Sequence, residues 1–304
     1  MAPIGSIVEL TAGSDALVRA RQRAALLPDL LVEARRVVAT VIAGWHGRRR
    51  RGAGENFWQF RPFVEGESVA RIDWRRSARD DHVYLRDREW EAAQTVWLWA
   101  DPSPSMLYQS TAASVSKESR ALVLVLALAD ILSRSGERIG YPGVLEPISA
   151  RNAAERIAAA LMTNRPAGGL PPDERLKRFS EVVLVSDFLD PLDDILARIA
   201  ALSRRGIRGH LVAIADPAEE SFPYSGRTEF QDPETGQRLT AGRAETMREE
   251  YRRLYAARRA TLGEHCRRIG WSFVEHRTDR LASEALVAVH ARLSGTPQAQ
   301  VKRA

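Results

Sequence analysis

Asp101, Ser103 and Ser105 occupy alternate positions of the loop Asp101-Pro102-Ser103-Pro104-Ser105, directly after the apolar run Thr95–Ala100. A carboxylate and two hydroxyls facing one way from a turn form a cup of hard oxygen ligands, a set suited to Mg2+ or Mn2+. A second apolar run, 181–186, leads into another acid, Asp187. If the two runs are parallel strands of one sheet, their carboxyl ends share an edge, where open α/β folds place their sites. Asp101, Ser103, Ser105 and Asp187 then converge on one cation, leaving a coordination position for a partner's carboxylate. Magnesium keeps several waters, so so small a ligand set is chemically sufficient. The competing account is structural: Asp101 and Ser105 cap the segment that follows and satisfy backbone donors. Pro102 and Pro104 bias Asp101 and Ser103 toward extended backbone, which either preorganises the cup or misplaces a hydroxyl.

A second dense stretch mixes arginines, acids and aromatics, with Arg61, Arg71, Asp73, Trp74 and Arg79 as candidate partner-binding residues. Such a mixture can bind phosphates and stack bases, and it follows the basic run Arg48-Arg49-Arg50-Arg51. A nucleic-acid-binding protein using 48–79 is therefore the alternative reading. Against it, Glu65, Glu67, Asp80 and Asp81 interrupt the basic surface, and Asp73 can pair within the segment while Phe57, Phe63 and Trp74 pin it in place.

Nothing in the chain indicates catalysis. There is no Gly-rich phosphate loop closed by Lys-Ser/Thr, no Gly-x-Ser-x-Gly and no His-Glu-x-x-His. A strand-ending Asp serves as nucleophile in phosphatases of the haloacid-dehalogenase type, but the second acid they need two residues on is Ser103 here. The six histidines are scattered, and the single cysteine, Cys266, excludes an internal disulfide. No leader-like start and no apolar run of membrane-spanning length lead to the expectation of a cytoplasmic protein, while a net charge of +6 suits nucleic acid, an anionic membrane or an acidic protein face as partner.

The elements that must position the cup follow from periodicity. Residues 1–25 read as an arm. The division 26–91 holds a helix, with Pro28 in its first turn and Leu30, Leu31, Ala34, Val37, Val38, Val41 and Ile42 at helical spacing, followed by the irregular Arg/aromatic segment. From 92 to 294 strand and helix signals alternate, as a doubly wound, mostly parallel α/β sheet requires. Helices are expected over 117–133, 150–162, 191–204, 244–269 and 280–293, and strands over 95–100, 138–144, 181–187, 210–215 and 271–275. Asp232-Pro233-Glu234-Thr235-Gly236 marks a turn, so a hairpin should project near 224–242. Residues 295–304 read as a tail.

Taken together, Gly52-Ala53-Gly54, Glu55, Phe57, Arg61-Pro62-Phe63, Gly66-Glu67, Arg71-Ile72-Asp73-Trp74, Ser77-Ala78-Arg79 and the Asp101–Met106 loop resemble the bacterial domain of unknown function 58 family. Asp216-Pro217-Ala218-Glu219 and the Asp232–Gly236 turn extend the likeness. The resemblance implies a von Willebrand factor A-like domain whose Asp-x-Ser-x-Ser loop, with Asp187 as the later acid, is a metal-ion-dependent adhesion site. It further implies a non-enzymatic adaptor that accompanies a MoxR-type AAA+ ATPase in assembly or maturation of other proteins. Phe63 and Glu67 stand where Tyr and Asp are common. The complete adhesion site adds a Thr from another loop; by position Ser149 is the nearest candidate for that ligand.

Overall fold

The computed structural model describes residues 12–46, 59–63, 72–79, 82–87, 93–164, 166, 168–171 and 176–294, with side chains of the first helix described from 25 to 44. The chain divides into two units, one of residues 1–42 with 94–304 and one of 43–93. Helix α1, Ala12–His46, starts well before Pro28 and runs through it, so the expected first-turn proline is an interior one. Its apolar stripe of Leu27, Leu30, Ala34, Val38 and Val41 is buried in the same core as the sheet. That burial is why the helix goes with the sheet unit and not with the Arg/aromatic segment, a correction to the 26–91 division.

In the smaller unit, β1 (Gln59–Pro62) pairs antiparallel with β2 (Tyr84–Asp87). The short α2 (Trp74–Ser77) is capped by Asp73, whose Oδ1 accepts the Arg76 N–H at 2.9 Å. The Ser77 hydroxyl donates to the Asp73 carbonyl and accepts the Tyr84 N–H, both at 2.9 Å.

The larger unit is built on six strands: β3 (Thr95–Ala100), β4 (Arg138–Tyr141), β5 (Leu145–Ile148), β6 (Glu181–Ser186), β7 (Arg208–Ala215) and, near the end of the chain, β10 (Ser272–Arg277). Their order across the sheet is β10-β7-β6-β3-β4-β5, all parallel except the β5 edge. This is the doubly wound, mostly parallel α/β arrangement expected above. The β5 edge strand, which periodicity missed, is short, contains Pro147 and pairs with β4 through a register shift. Central strands read as unbroken apolar runs because both their faces are covered: β6 and Val96–Ala100 of β3 are buried throughout.

Helix α3 (Lys117–Arg134) begins at a Ser116 cap and is buried on nearly every side. It packs between α4 (Ala153–Thr163) and α8 (Ala282–Leu293), while α5 (Leu192–Arg204) packs with α7 (Arg248–Arg268). Between β7 and α7 lie the short α6 (Pro217–Ser221) and a hairpin of β8 (Thr228–Gln231) and β9 (Arg238–Ala241). The hairpin base has a small core of its own: Phe222, Ala241 and Ala244, packed by Tyr224, Phe230 and Tyr251. At its tip Asp232 accepts the Glu234 N–H at 2.9 Å, and Gly236 takes the left-handed backbone that closes the turn.

Among the described residues, no helix is long and apolar enough to cross a membrane. Cys266 is fully buried in α7, and burial pushes its thiol up to about 12. The native protein is therefore expected to resist a thiol-labelling reagent at neutral pH and to react stoichiometrically once unfolded in urea. Rapid labelling without denaturant would show that α7 detaches from the sheet.

Candidate functional site

After β3 the chain travels outward to β4 and β5, then returns to the other side of β3 to enter β6. A crevice opens at such a reversal, above the carboxyl ends of β3 and β6. The Asp101 N–H donates to the Val185 carbonyl at 2.9 Å, so Asp101 stands beside Ser186. The end of β3 is fixed from below. The Tyr141 hydroxyl accepts the Ala100 N–H at 3.2 Å and donates to the Ala100 carbonyl at 2.9 Å.

Asp101 is only 2% exposed. Its Oδ1 accepts the Ser103 N–H at 2.9 Å and the Ser103 hydroxyl, and its Oδ2 accepts the Ser186 hydroxyl at 2.6 Å. Ser103 Oγ in turn accepts the Gly169 N–H at 3.1 Å. Trp99 holds that glycine loop over the cup by donating its indole N–H to the Gly169 carbonyl at 3.1 Å. Burial raises the Asp101 carboxyl above its ordinary range; its serine donors oppose the rise, and the charge of Asp187 adds to it.

Asp187 is also buried, in a polar cluster beneath the crevice. Lys117, with 0% exposure, donates to Asp187 Oδ2 at 2.8 Å and to Glu219 Oε1 at 2.5 Å. Burial alone would lower the Lys117 ammonium, yet Asp187 and Glu219 hold it above its usual value. Glu219 also accepts the Asp216 N–H, and Asp216 caps α6 and accepts the Ser110 N–H at 2.9 Å. One lysine thus ties together the loops after β3, β6 and β7.

Ser105 is half-buried at the mouth of the cup. Its N–H donates to the carboxylate of Glu234, at the hairpin tip, at 3.0 Å. Asp190 lies nearby, with its carboxyl raised by burial and by the charges of Asp187 and Glu234. Leu107 and Leu189, 44% and 41% exposed, stand in the two loops that carry Ser105 and Asp187.

The donor set suits a hard cation. Asp101 is a buried carboxylate bonded to hydroxyls and an amide, with no Lys or Arg among the described residues bonded to it. A buried charge satisfied only by neutral donors favours an added cation or a proton. Among the described residues no three His, Cys, Asp or Glu side chains gather closely enough to hold a metal by themselves, so an ion here depends on Ser103, Ser105 and water.

The structure brings Asp101, Ser103, Ser105 and Asp187 to one crevice, with Asp187 turned to Lys117. Ser149 is not there. It follows β5, which runs against β4 so that Ile148 pairs with Ile139, at the amino end of the parallel strands. That is roughly 20 Å from Asp101 at the rise of an extended strand, which removes Ser149 from the ligand set. The third loop at the cup is 168–170, offering the Gly169 amide where the resemblance anticipates a hydroxyl. Sequence reasoning missed Ser186, Lys117, Gly169 and Glu234; the Lys at the start of an apolar helix and the acid in the projecting turn were the available signals.

Of the residues singled out in the Arg/aromatic segment, Arg48–Arg51 and Arg71 lie outside the described residues, and Arg61 lies in β1. Asp73 is a helix cap bonded to a backbone amide. Trp74 is 62% exposed, so it does not pin the segment as anticipated, and Arg79 is exposed as well.

A family model described as "protein of unknown function DUF58" matches residues 59–261. Uncharacterized proteins of Mycobacterium tuberculosis and Mycobacterium bovis are each 26% identical over 276 residues, covering 84% of this chain and 85% of theirs. Among solved structures, the conserved hypothetical protein BatB from Bacteroides thetaiotaomicron aligns at a TM-score of 0.40 and 15% identity, over 67% of this chain and 98% of its own. An aerotolerance-related membrane protein from Bacteroides fragilis aligns at 0.41 and 16%, over 67% and 100%.

Proposed function

The chain belongs to the DUF58 family, and from that premise we propose that it is a non-enzymatic adaptor that captures an acidic side chain of a partner protein at the Asp101 crevice. The observation that carries this reading is the bond from the Ser105 N–H to the Glu234 carboxylate. The mouth of the cup already receives a carboxylate, supplied by the chain's own hairpin. Leu107 and Leu189, in the loops that carry Ser105 and Asp187, add exposed apolar surface of the kind a protein interface buries at its core. A divalent cation, held by Asp101, Ser103 and Ser105 with waters, would supply positive charge to the incoming acid. Ser186 and Gly169 orient Asp101 and Ser103, and Lys117 neutralises Asp187 beneath them. The partner proposed first is a MoxR-type AAA+ ATPase, as the family resemblance implies.

Two substitutions with opposite expected signs test this. Asp101→Ala should abolish the heat of Mg2+ or Mn2+ binding in calorimetry and the capture of the ATPase. Glu234→Ala removes the internal competitor and should strengthen capture about fivefold, the scale of the roughly 1 kcal/mol net worth of one intramolecular hydrogen bond. Equal capture by the wild type, both variants and chelator-treated protein would rule the reading out.

A further inference from the structure

The two ends of the main sheet are unlike. At the β5 end, a four-residue strand with Pro147 and a register shift leaves little for another strand to pair with. At the other end, β10 offers six residues without proline or register shift, and β7 is its one strand partner among the described residues. The Thr278 N–H donates to the Ala215 carbonyl. In a parallel ladder alternate residues address opposite sides, so the amides and carbonyls of Phe273, Glu275 and Arg277 face outward. A groove of about 1110 Å3 runs along this edge, floored by Phe273, Val274 and Glu275 and walled by α7 and α8.

The walls are basic. Arg252, Arg253, Arg259 and Arg267 of α7 and Arg292 of α8 line the groove, against Glu220, Glu249 and Glu275. Glu220 is engaged by Arg277 at 3.5 Å. Arg259 is only 8% exposed; it donates through Nη2 to the Tyr255 hydroxyl at 2.7 Å, while its Nη1 is buried without a partner. An unsatisfied guanidinium N–H in a groove is costly unless an acceptor arrives.

We propose that this groove binds an extended acidic peptide segment of a partner protein, which adds as a strand to β10 with its carboxylates against the arginines of α7. A row of outward amides and carbonyls is matched by polypeptide backbone and by no nucleic acid, and the charge of the walls selects acidic side chains. The site is separate from the Asp101 crevice, so each reading can fail without the other.

The test uses the full chain and fluorescence anisotropy of a labelled peptide of alternating Glu and Val. Its controls are an alternating Lys and Val peptide, and the Glu peptide methylated on alternate backbone amides. Saturable binding of the unmodified Glu peptide alone is the expected result. Arg252→Glu with Arg253→Glu, both at exposed positions where folding is undisturbed, should weaken it about tenfold or more. Asp101→Ala and chelation should leave it unchanged. Equal binding of the methylated peptide would reduce the groove to a charge patch and overturn strand addition. Absence of saturable binding, competition by single-stranded DNA at equal concentration, or loss with Asp101→Ala would each overturn the proposal as well.

Discussion

Replacing Lys117 with methionine should cost the fold about 3–5 kcal/mol near neutral pH, the penalty for leaving buried charges without their partner. Lys117 is the cation bonded to both Asp187 and Glu219, and all three side chains are largely shielded from water. Methionine keeps the length and removes the charge, so the loss is electrostatic and not a cavity effect. Its pH dependence has a definite sign. In the wild type the ammonium is held above its usual value, so its stabilisation is complete below the unfolded-state pKa and is lost only as pH rises through the higher folded value. In the variant Glu219, whose carboxyl burial already raises, loses the Lys117 charge that opposes the rise, and its affinity for protons climbs further. Stability is then regained as pH falls and Glu219 protonates. Urea titrations of both proteins at neutral and mildly acidic pH should show the gap narrowing in acid. A gap that is absent, or that widens in acid, would contradict the assigned role.

Gly209→Ala is expected to be comparably damaging for a steric reason. A methyl at this position of β7 would lie 2.1 Å from the ring of Trp271, which covers the glycine and donates its indole N–H to the Ile207 carbonyl at 3.1 Å. The ring is 5% exposed at the start of β10 and has to leave its seat, so the expected loss is about 3–5 kcal/mol, like that of truncating a buried Trp. Trp271→Leu should be harmful alone yet cost less on the Gly209→Ala background, because the two changes relieve one clash. Additive losses in thermal unfolding would mean that the glycine is needed for something other than ring contact.

Much of the larger unit was legible because buried parallel strands and their covering helices write themselves as apolar runs. Glu181–Ser186 and Lys117–Arg134 lie within a residue or so of their expected ends. β5 was not legible: a four-residue strand with a central proline carries neither alternation nor an apolar run. Its direction then decided the fate of Ser149, since chain position alone does not say at which end of a sheet a loop lands. The reach of α1 beyond Pro28 was hidden for a related reason, because proline punctuates a sequence more strongly than it breaks a helix that tertiary contacts support. In the crevice, Asp101 and Asp187 were readable as strand-end acids. Lys117 and Glu234 were not, because their partners lie 70 and 129 residues away, and such contacts leave no local pattern.

The unequal ends of the sheet also govern stoichiometry. Growth of a β-sheet into a fibre needs two open edges per molecule, one to receive and one to offer. Pro147 and the register shift beside it deny the second. A strand added at β10 would therefore find no second good edge of the main sheet through which this chain could hand the pairing on, so each chain would end a row of strands and could not serve as a link within it.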